Sequence, residues 1–279
     1  MQPDSGSGCT LHREVVIMSK MPHIRLDETI NATAAILPGD PARVDVVASF
    51  LEDVKEEGFN REYKSITGTY KGRRILVMST GMGGASTAIG VEELADLGVK
   101  DMIRIGSAGA LQKDLQLGQL IICGKAVCDD GASLSYLGRM RYADPMLEQT
   151  AEKREKDDIC FAYADETLTR ACLAAAQAQG FDALIGSTRS HDALYLKTKP
   201  ELDRHYSMRG ISGSDMETAA VLAVGGIRGV RTCSILNVVV EWEADIKEGV
   251  GAYKDGAAAA AAGERNEIIT ALEALAAVS

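Results

Sequence analysis

Apolar positions along this chain follow two periods in turn. Short runs in which almost every residue is apolar have the length and composition of strands buried on both faces: AAIL at 34–37, RRILVMST at 73–80, DMIRIG at 101–106, GQLIICGKAV at 118–127, ALIGST at 183–188 and VRTCSILNVVV at 230–240. Helical spacing lies between them. In PARVDVVASFLED, residues 41–53, the residues Val44, Val47, Ala48 and Leu51 recur at i, i+3, i+4 and i+7. GGASTAIGVEELADLG predicts a second helix closed by Gly98, ETLTRACLAAAQAQG a third closed by Gly180, and METAAVLAVGGIRG a fourth. The alanine-rich tail from Gly256 to Val278 predicts a long terminal helix on propensity alone.

Strands alternating with helices predict a layered α/β domain with helices on both faces of the sheet. In YKSITGTYKGRRILVMST, Lys71-Gly72 marks a hairpin turn, which adds antiparallel pairing. The most polar interior region, about 139–163 with AEKREKDD at its centre, is expected to be a solvated loop or helix. No linker and no internal repeat divides the chain.

Composition narrows the partners. With 279 residues there is ample chain for a buried core, and a formal charge of −10 disfavours nucleic acid or an anionic membrane as partner. Any anion site is therefore a local cationic pocket in an acidic surface. Six cysteines without a CxxC pair suit reduced, mostly buried thiols in a cytoplasmic protein. No window has the length of a membrane span, and residues 1–20 are expected to form a flexible polar extension, with Met18 as an alternative start. The folded domain is expected over 21–279.

Two familiar patterns fail on inspection. STGMGGASTAIG places Gly81, Gly83 and Gly84 between strand and helix, with Asp101 twenty residues on, but Ser86 stands where a dinucleotide fingerprint needs its third glycine. A turn that lets strand, helix or a small ligand approach closely fits better. RSHDA sets Ser190, His191 and Asp192 side by side, and neighbours in a strand point to opposite faces, so they cannot form a relay. No spaced His/Cys cluster suggests a transition metal.

The arginines say more. Arg43 follows the PGDP turn of ILPGDPARV, Arg61 stands beside Glu62, and Arg104 interrupts the apolar MIRIGSAGA. A solvated helix face would explain Arg43 alone, and an internal salt bridge would explain Arg104 alone. Gly39 before Arg43, and Ser107 with Gly109 after Arg104, change that balance, because glycine turns, a hydroxyl and guanidinium forks are what phosphate oxygens need. At ~4 Å and an effective dielectric near 20, each pair of full charges contributes about 4 kcal/mol before desolvation. In SGSDMETAA, Asp215 and Glu217 open a helix. They can serve its dipole, or Glu217 can accept both hydrogen bonds of a cis-diol, with Met216 against the sugar face.

PGDPARV, STGMGGASTAIGVEELADLGV, RIGSAGA, DGASLSY and SDMETAA stand in the order found in the nucleoside phosphorylase I family, which the chain resembles over about residues 22–275. VEELADLGV and DGASL resemble the bacterial uridine phosphorylases most. The resemblance implies a single-domain three-layer αβα sandwich with a mixed central sheet. It implies reversible phosphorolysis, nucleoside plus phosphate giving free base and pentose 1-phosphate, with inorganic phosphate as co-substrate and no organic cofactor. By position it assigns phosphate to Gly39, Arg43, Arg104 and Ser107, with Arg61 reaching in from a neighbouring subunit. It assigns the ribose to Met216 and Glu217, and to His23 of an adjoining copy. A homo-oligomer of dimer units, a hexamer in many members, follows from such sharing. Some members bind a monovalent cation through residues corresponding to Glu62 and Ser86.

The base pocket departs from the pattern. Uridine phosphorylases carry a Gln-x-Arg pair that HDALYLKTKPELDRHY lacks, and an Asn-Arg pair where Glu241-Trp242 stands. The hexameric purine enzymes place a proton-donating Asp where Val240 falls, and Asp215 replaces a more usual Glu. The pocket expected here comprises Ala108, Gly109, Asp192, Leu194, Asp215, Glu241 and Trp242. Glu241 or Asp192 would face the base, and a buried carboxylate with a raised pKa can protonate a leaving group. The alternatives are a purine nucleoside phosphorylase, towards which RIGSAGA leans, and a non-catalytic nucleoside-binding homologue.

Overall fold

The computed structural model describes residues 20–138, 159–254 and 257–278. The expected N-terminal extension up to residue 19, Cys9, and the AEKREKDD segment lie outside the described residues.

Among the described residues ten strands pair into one mixed sheet: β1 (Ala34–Pro38), β2 (Glu52–Asn60), β3 (Tyr63–Tyr70), β4 (Arg73–Met78), β5 (Asp101–Ala110), β6 (Leu120–Asp129), β7 (Phe161–Tyr163), β8 (Ala183–His191), β9 (Gly213–Asp215) and β10 (Arg231–Val240). The described helices are α1 (Pro41–Ala48), α2 (Gly84–Asp96), α3 (Gly131–Tyr136), α4 (Glu166–Ala178), α5 (Lys199–Ser207), α6 (Thr218–Arg228), α7 (Ile246–Lys254) and α8 (Ala258–Ala277). None is long and apolar enough to cross a membrane.

Strand β1 explains its own continuous apolar run. Ala34 and Ile36 pack into a core with Val44 of α1, Cys172 of α4 and Leu272 of α8. Ala35 and Leu37 pack into a second core with Val91 of α2 and Val224 of α6. A strand covered on both faces has no polar side to show. The three layers expected from the sequence are these two helix layers and the sheet between them.

The sheet also closes on part of itself, which alternation did not foretell. Strand β5 runs parallel to β1 and β10; β10 pairs antiparallel with β6, β6 parallel with β8, β8 parallel with β9, and β9 antiparallel with β5. Five strands thus form a ring that shares β5 with the open sheet. Since β1, β4, β5 and β10 all run the same way, their C-terminal ends open at one edge, where α/β sheets place their ligands.

Two local outcomes differ from or refine the sequence reading. The helix expected over 41–53 stops at Ala48, and the chain becomes β2, an exposed edge strand. The Ser49 hydroxyl donates back to the Val46 carbonyl at 2.7 Å, which closes the last turn. Leu51 then seats against Gly68 of β3, where an added Cβ would meet the Leu51 Cβ at 2.8 Å. Leu51 is thus sheltered by the sheet rather than by a helix. The hairpin at Lys71-Gly72 forms as expected, with φ of 48° and 80°, the left-handed pair that a two-residue turn between twisted strands requires.

Helix α8 comes unusually close to the sheet. A Cβ on Gly263 would sit 2.1 Å from the Asn237 side-chain oxygen, while the Asn237 amide donates to the Ala260 carbonyl at 2.7 Å. That approach brings the acidic residues of α8 beneath the C-terminal edge of the sheet.

Candidate active site

The loops after β1 and β4 are tied to each other. The Thr80 N–H donates to the Pro38 carbonyl at 2.9 Å and the Gly81 N–H to the Gly39 carbonyl at 3.0 Å. They form one wall of a cavity of about 590 Å³ that also includes Arg43, Arg104, Ser107, Met216 and Glu217. Residues expected from distant parts of the chain to meet at phosphate and ribose therefore line a single space.

Arg104 is its centre. It lies on β5, opposite Leu37 of β1 and Ser234 of β10, and is 3% exposed. Its side chain folds back over Gly106, where a Cβ would lie 2.6 Å from Nη2, so this position of RIGSAGA has no room for a side chain. Nε donates to Asp215 at 3.3 Å and Nη2 to Glu217 at 2.5 Å. Nη1 is buried and has no hydrogen-bond partner among the described residues, and it lies beside Gly39, whose added Cβ would be 3.8 Å away. Both explanations of Arg104 weighed from the sequence are present: an internal salt bridge, and a donor left over for something else.

The two carboxylates divide their work. Asp215 caps α6, its Oδ2 accepting from the Thr218 N–H at 2.9 Å and hydroxyl at 2.6 Å, while Oδ1 accepts from the Ser190 hydroxyl at 2.6 Å. Glu217 makes no cap bond to that helix. It accepts instead from the Gly83 N–H at 2.6 Å, across the STGMGG turn, and reaches into the cavity. Burial pushes the Glu217 carboxyl up, Arg104 opposes this, and Asp215 adds to it.

Arg43 is buried rather than solvated, held by the last two helices. Its Nε donates to Glu264 at 3.2 Å, Nη1 pairs with Glu267 at 3.2 Å, and Nη2 donates to the Tyr253 hydroxyl. Glu267 is fully buried and also accepts from the Gly106 N–H at 3.2 Å. Sequence reasoning missed all three partners. Glu267 left one trace, as an acid on the same helical stripe as Gly263, Ala271 and Ala274.

Burial drives the Glu267 carboxyl from 4.5 up to about 8, with Arg43 pulling the other way and Glu264 adding to the rise. Between those values the folded chain keeps a proton that the unfolded chain has released. Its contribution to stability is therefore fullest below pH 4.5, declines as pH rises and levels off above about 8, with a limiting slope of about 1.4 kcal/mol per pH unit. Glu267→Gln should flatten that decline, as measured by urea midpoints between pH 5 and 8.5. An unaltered slope in the variant would show that Glu267 does not hold the proton.

The far end of the cavity is mostly apolar, with Ala108, Gly109, Leu194, Val239 and Val240, and polar at Ser214 and His191. His191 is buried, and burial, with Arg189 and Lys199 nearby, pulls it down to about 4, so the ring is neutral at pH 7. A second cavity, also about 590 Å³, adjoins this end and shares Gly109, Leu194, Ser214, Val240 and Ile246 with the first. Glu241 and Trp242 line the second cavity only; Glu241 is exposed, and Trp242 packs against Leu111, Val127 and Ile211. Asp192 is exposed, accepts from the Gly131 N–H at 2.8 Å and lines neither space.

His23 and Arg61 lie outside this chain's own cavity. They are neighbours all the same: the Asn60 side chain donates to the His23 carbonyl at 2.7 Å, and the His23 ring bonds Glu93 at 2.6 Å. Arg61 is exposed in the β2–β3 turn and makes no ion pair among the described residues. Glu62 lines the cavity, and both Glu62 and Ser86 crowd Gly81, whose Cβ would lie 2.8 Å from the Glu62 Cγ and 3.4 Å from the Ser86 hydroxyl.

The family profile described as the Phosphorylase superfamily matches residues 33–275. The chain belongs to that superfamily. Among curated members, the uridine phosphorylase of Thermococcus kodakarensis is 36% identical over 212 residues, 72% of this chain and 70% of that protein. The DeoD-type purine nucleoside phosphorylase of Yersinia enterocolitica is 35% identical over 227 residues, 80% of this chain and 86% of its own length. Among solved superfamily structures, a uridine phosphorylase from Vibrio fischeri superimposes with a TM-score of 0.79 at 36% identity, covering 94% of this chain and 99% of that one. The resemblance carried by the five sequence blocks holds, and with it the mixed-sheet α/β fold.

Proposed function

We propose that this protein is a nucleoside phosphorylase, a pentosyltransferase that moves the sugar of a uridine-like nucleoside from its base to inorganic phosphate. The observation that carries the reading is the free Nη1 of Arg104, a buried guanidinium donor beside Gly39 in the same cavity as the diol-accepting Glu217. Family membership and the named relatives agree with it.

In this reading Arg43, Arg104, Ser107 and the Gly39 backbone hold phosphate beneath C1′ of the sugar. Glu217 accepts from the two ribose hydroxyls, and Met216 lies against the ring. The bond to the base breaks through a cationic, oxocarbenium-like sugar, and the bound phosphate stabilises that charge as it forms and then takes C1′. No activated protein nucleophile is required. Arg61 and His23 act in the cavity of an adjoining copy, so the working unit is at least a dimer, with a hexamer built of such dimers as the proposed assembly. The placement of both residues together on a surface outside their own cavity supports this, as does Met82, 87% exposed on the cavity wall. Glu62 and Ser86, which both approach the position of a Cβ on Gly81, offer oxygen ligands to a monovalent cation.

A purine nucleoside is the second reading. The Yersinia relative and the roomy second cavity behind the base end favour it.

Base release from uridine, thymidine, inosine and adenosine, followed with and without phosphate, tests all of this. Release that requires phosphate and yields pentose 1-phosphate is expected. Equal rates in both conditions would assign a hydrolase instead. Nucleoside binding with no release at any phosphate concentration would leave a non-catalytic binder.

A further inference from the structure

The imidazole of His191 makes no hydrogen bond to any described residue, although the residue is 3% exposed and lines the cavity. Buried polar groups nearly always find a partner, so an orphan of this kind marks a place where a partner arrives from outside. Of its two ring nitrogens only Nδ1 is closed off without a partner among the described residues, which leaves Nε2 as the nitrogen able to face the cavity that His191 lines. A bare acceptor nitrogen costs less in such a closed spot than an N–H with nothing to donate to. The proton therefore sits on Nε2, and the side chain offers the cavity one N–H.

Position says what that N–H meets. Phosphate and ribose, in the reading above, occupy the end with Arg43, Arg104 and Glu217. The base then falls against Ala108, Gly109, Leu194 and Val240, where the polar side chains are those of Ser214 and His191. The charged groups that act on the His191 ring are Arg189 and Lys199, which disfavour its protonation, and Asp215 and Asp203, which favour it. Their charges are tied to other partners: Arg189 to Asp129 at 2.6 Å, Lys199 to Asp203 at 2.5 Å, Asp215 to Arg104 and Thr218. None reaches the imidazole itself.

We infer that His191 is a specificity residue which donates from Nε2 to a carbonyl oxygen on the edge of the base, so that the site takes oxo-bases and rejects their amino counterparts. An exocyclic amino group in the same place would set donor against donor and leave both unsatisfied. The hydrogen bond also strengthens as the departing base gains negative charge, so the residue assists departure as well as choice. The inference rests on the phosphorylase reading and deepens it.

The test compares uridine with cytidine and inosine with adenosine, as ratios of kcat/KM, for the full chain and for His191→Phe and His191→Gln. Phe keeps the ring volume without polar atoms, and the Gln amide nitrogen reaches about where Nε2 lies. The expected result is a preference for the oxo-base that falls by roughly tenfold or more in the Phe variant and largely survives in the Gln variant. The KM for phosphate should stay the same throughout, which a merely misfolded pocket would not allow. An unchanged base preference in an active Phe variant overturns the inference and leaves the phosphorylase reading standing. A full-length protein that cleaves no nucleoside overturns both.

Discussion

Arg104→Met will reduce phosphate-dependent base release by about 1,000-fold in kcat/KM. Three losses coincide at this residue. The free Nη1 disappears from the proposed phosphate site, and Glu217 and Asp215 each lose a buried cationic partner. An unpaired carboxylate in a buried site is costly, and removing one member of such a pair costs about 3–5 kcal/mol. Burial already pushes Glu217 towards its neutral form, and without Arg104 it moves further that way. Arg104→Lys distinguishes charge from geometry. It keeps a cation but loses the fork that serves two carboxylates and a third acceptor at once. A lysine variant with near full activity would show that the fork is unimportant and that Nη1 does not contact phosphate. Urea midpoints taken beside the kinetics separate lost folding from lost chemistry.

Glu217→Gln will lower kcat for a ribonucleoside by about 100-fold while leaving the KM for phosphate within about threefold. The side chains are nearly the same size, so the Gly83 N–H can still donate to the amide oxygen. What goes is a carboxylate able to accept from two adjacent hydroxyls and a negative charge near the developing sugar cation. A substrate lacking the ribose hydroxyls should therefore lose far less on this substitution than its parent nucleoside does. Equal losses on both would place Glu217 away from the diol.

The separate behaviour of these variants depends on how the two arginines are held. Arg104 is bound by carboxylates inside the cavity, while Arg43 is bound from below by Glu264, Glu267 and Tyr253. If the proposed sites hold, substitutions in α8 should therefore act on phosphate binding through Arg43, and substitutions around α6 on sugar and phosphate together.

Much of the fold was legible because burial on both faces leaves a plain mark. Strands β1, β4, β5 and β10 each appear as an apolar run, and the Lys71-Gly72 turn and the glycines at 98 and 180 mark ends that only their backbone conformations permit. Strand β2 left no mark, since an exposed edge made of EDVKEEGFN buries no alternating face. The end of α1 was misplaced for a related reason. Leu51 keeps helical spacing with Val47 and Val44 but is sheltered by Gly68 of a neighbouring strand.

The site divides along the same line. Arg104 was visible as a permanent charge inside an apolar strand, and Asp215 and Glu217 as acids at the start of a helix, because each conflicts with or completes its immediate surroundings. The sequence by itself thus determined the layers, the glycine turns, the family, and which side chains were out of place unless something paired with them. Only the tertiary structure decided the pairing. Glu217 meets Arg104 across 113 residues and Glu264 meets Arg43 across 221, distances over which local pattern carries no information. The ring closed by β5, β10, β6, β8 and β9 is likewise a matter of long-range pairing. So is the orphaned ring of His191, which in the sequence was only the middle of RSHDA, set aside because its neighbours could not form a relay with it. Its meaning lies in what the folded chain leaves beside it.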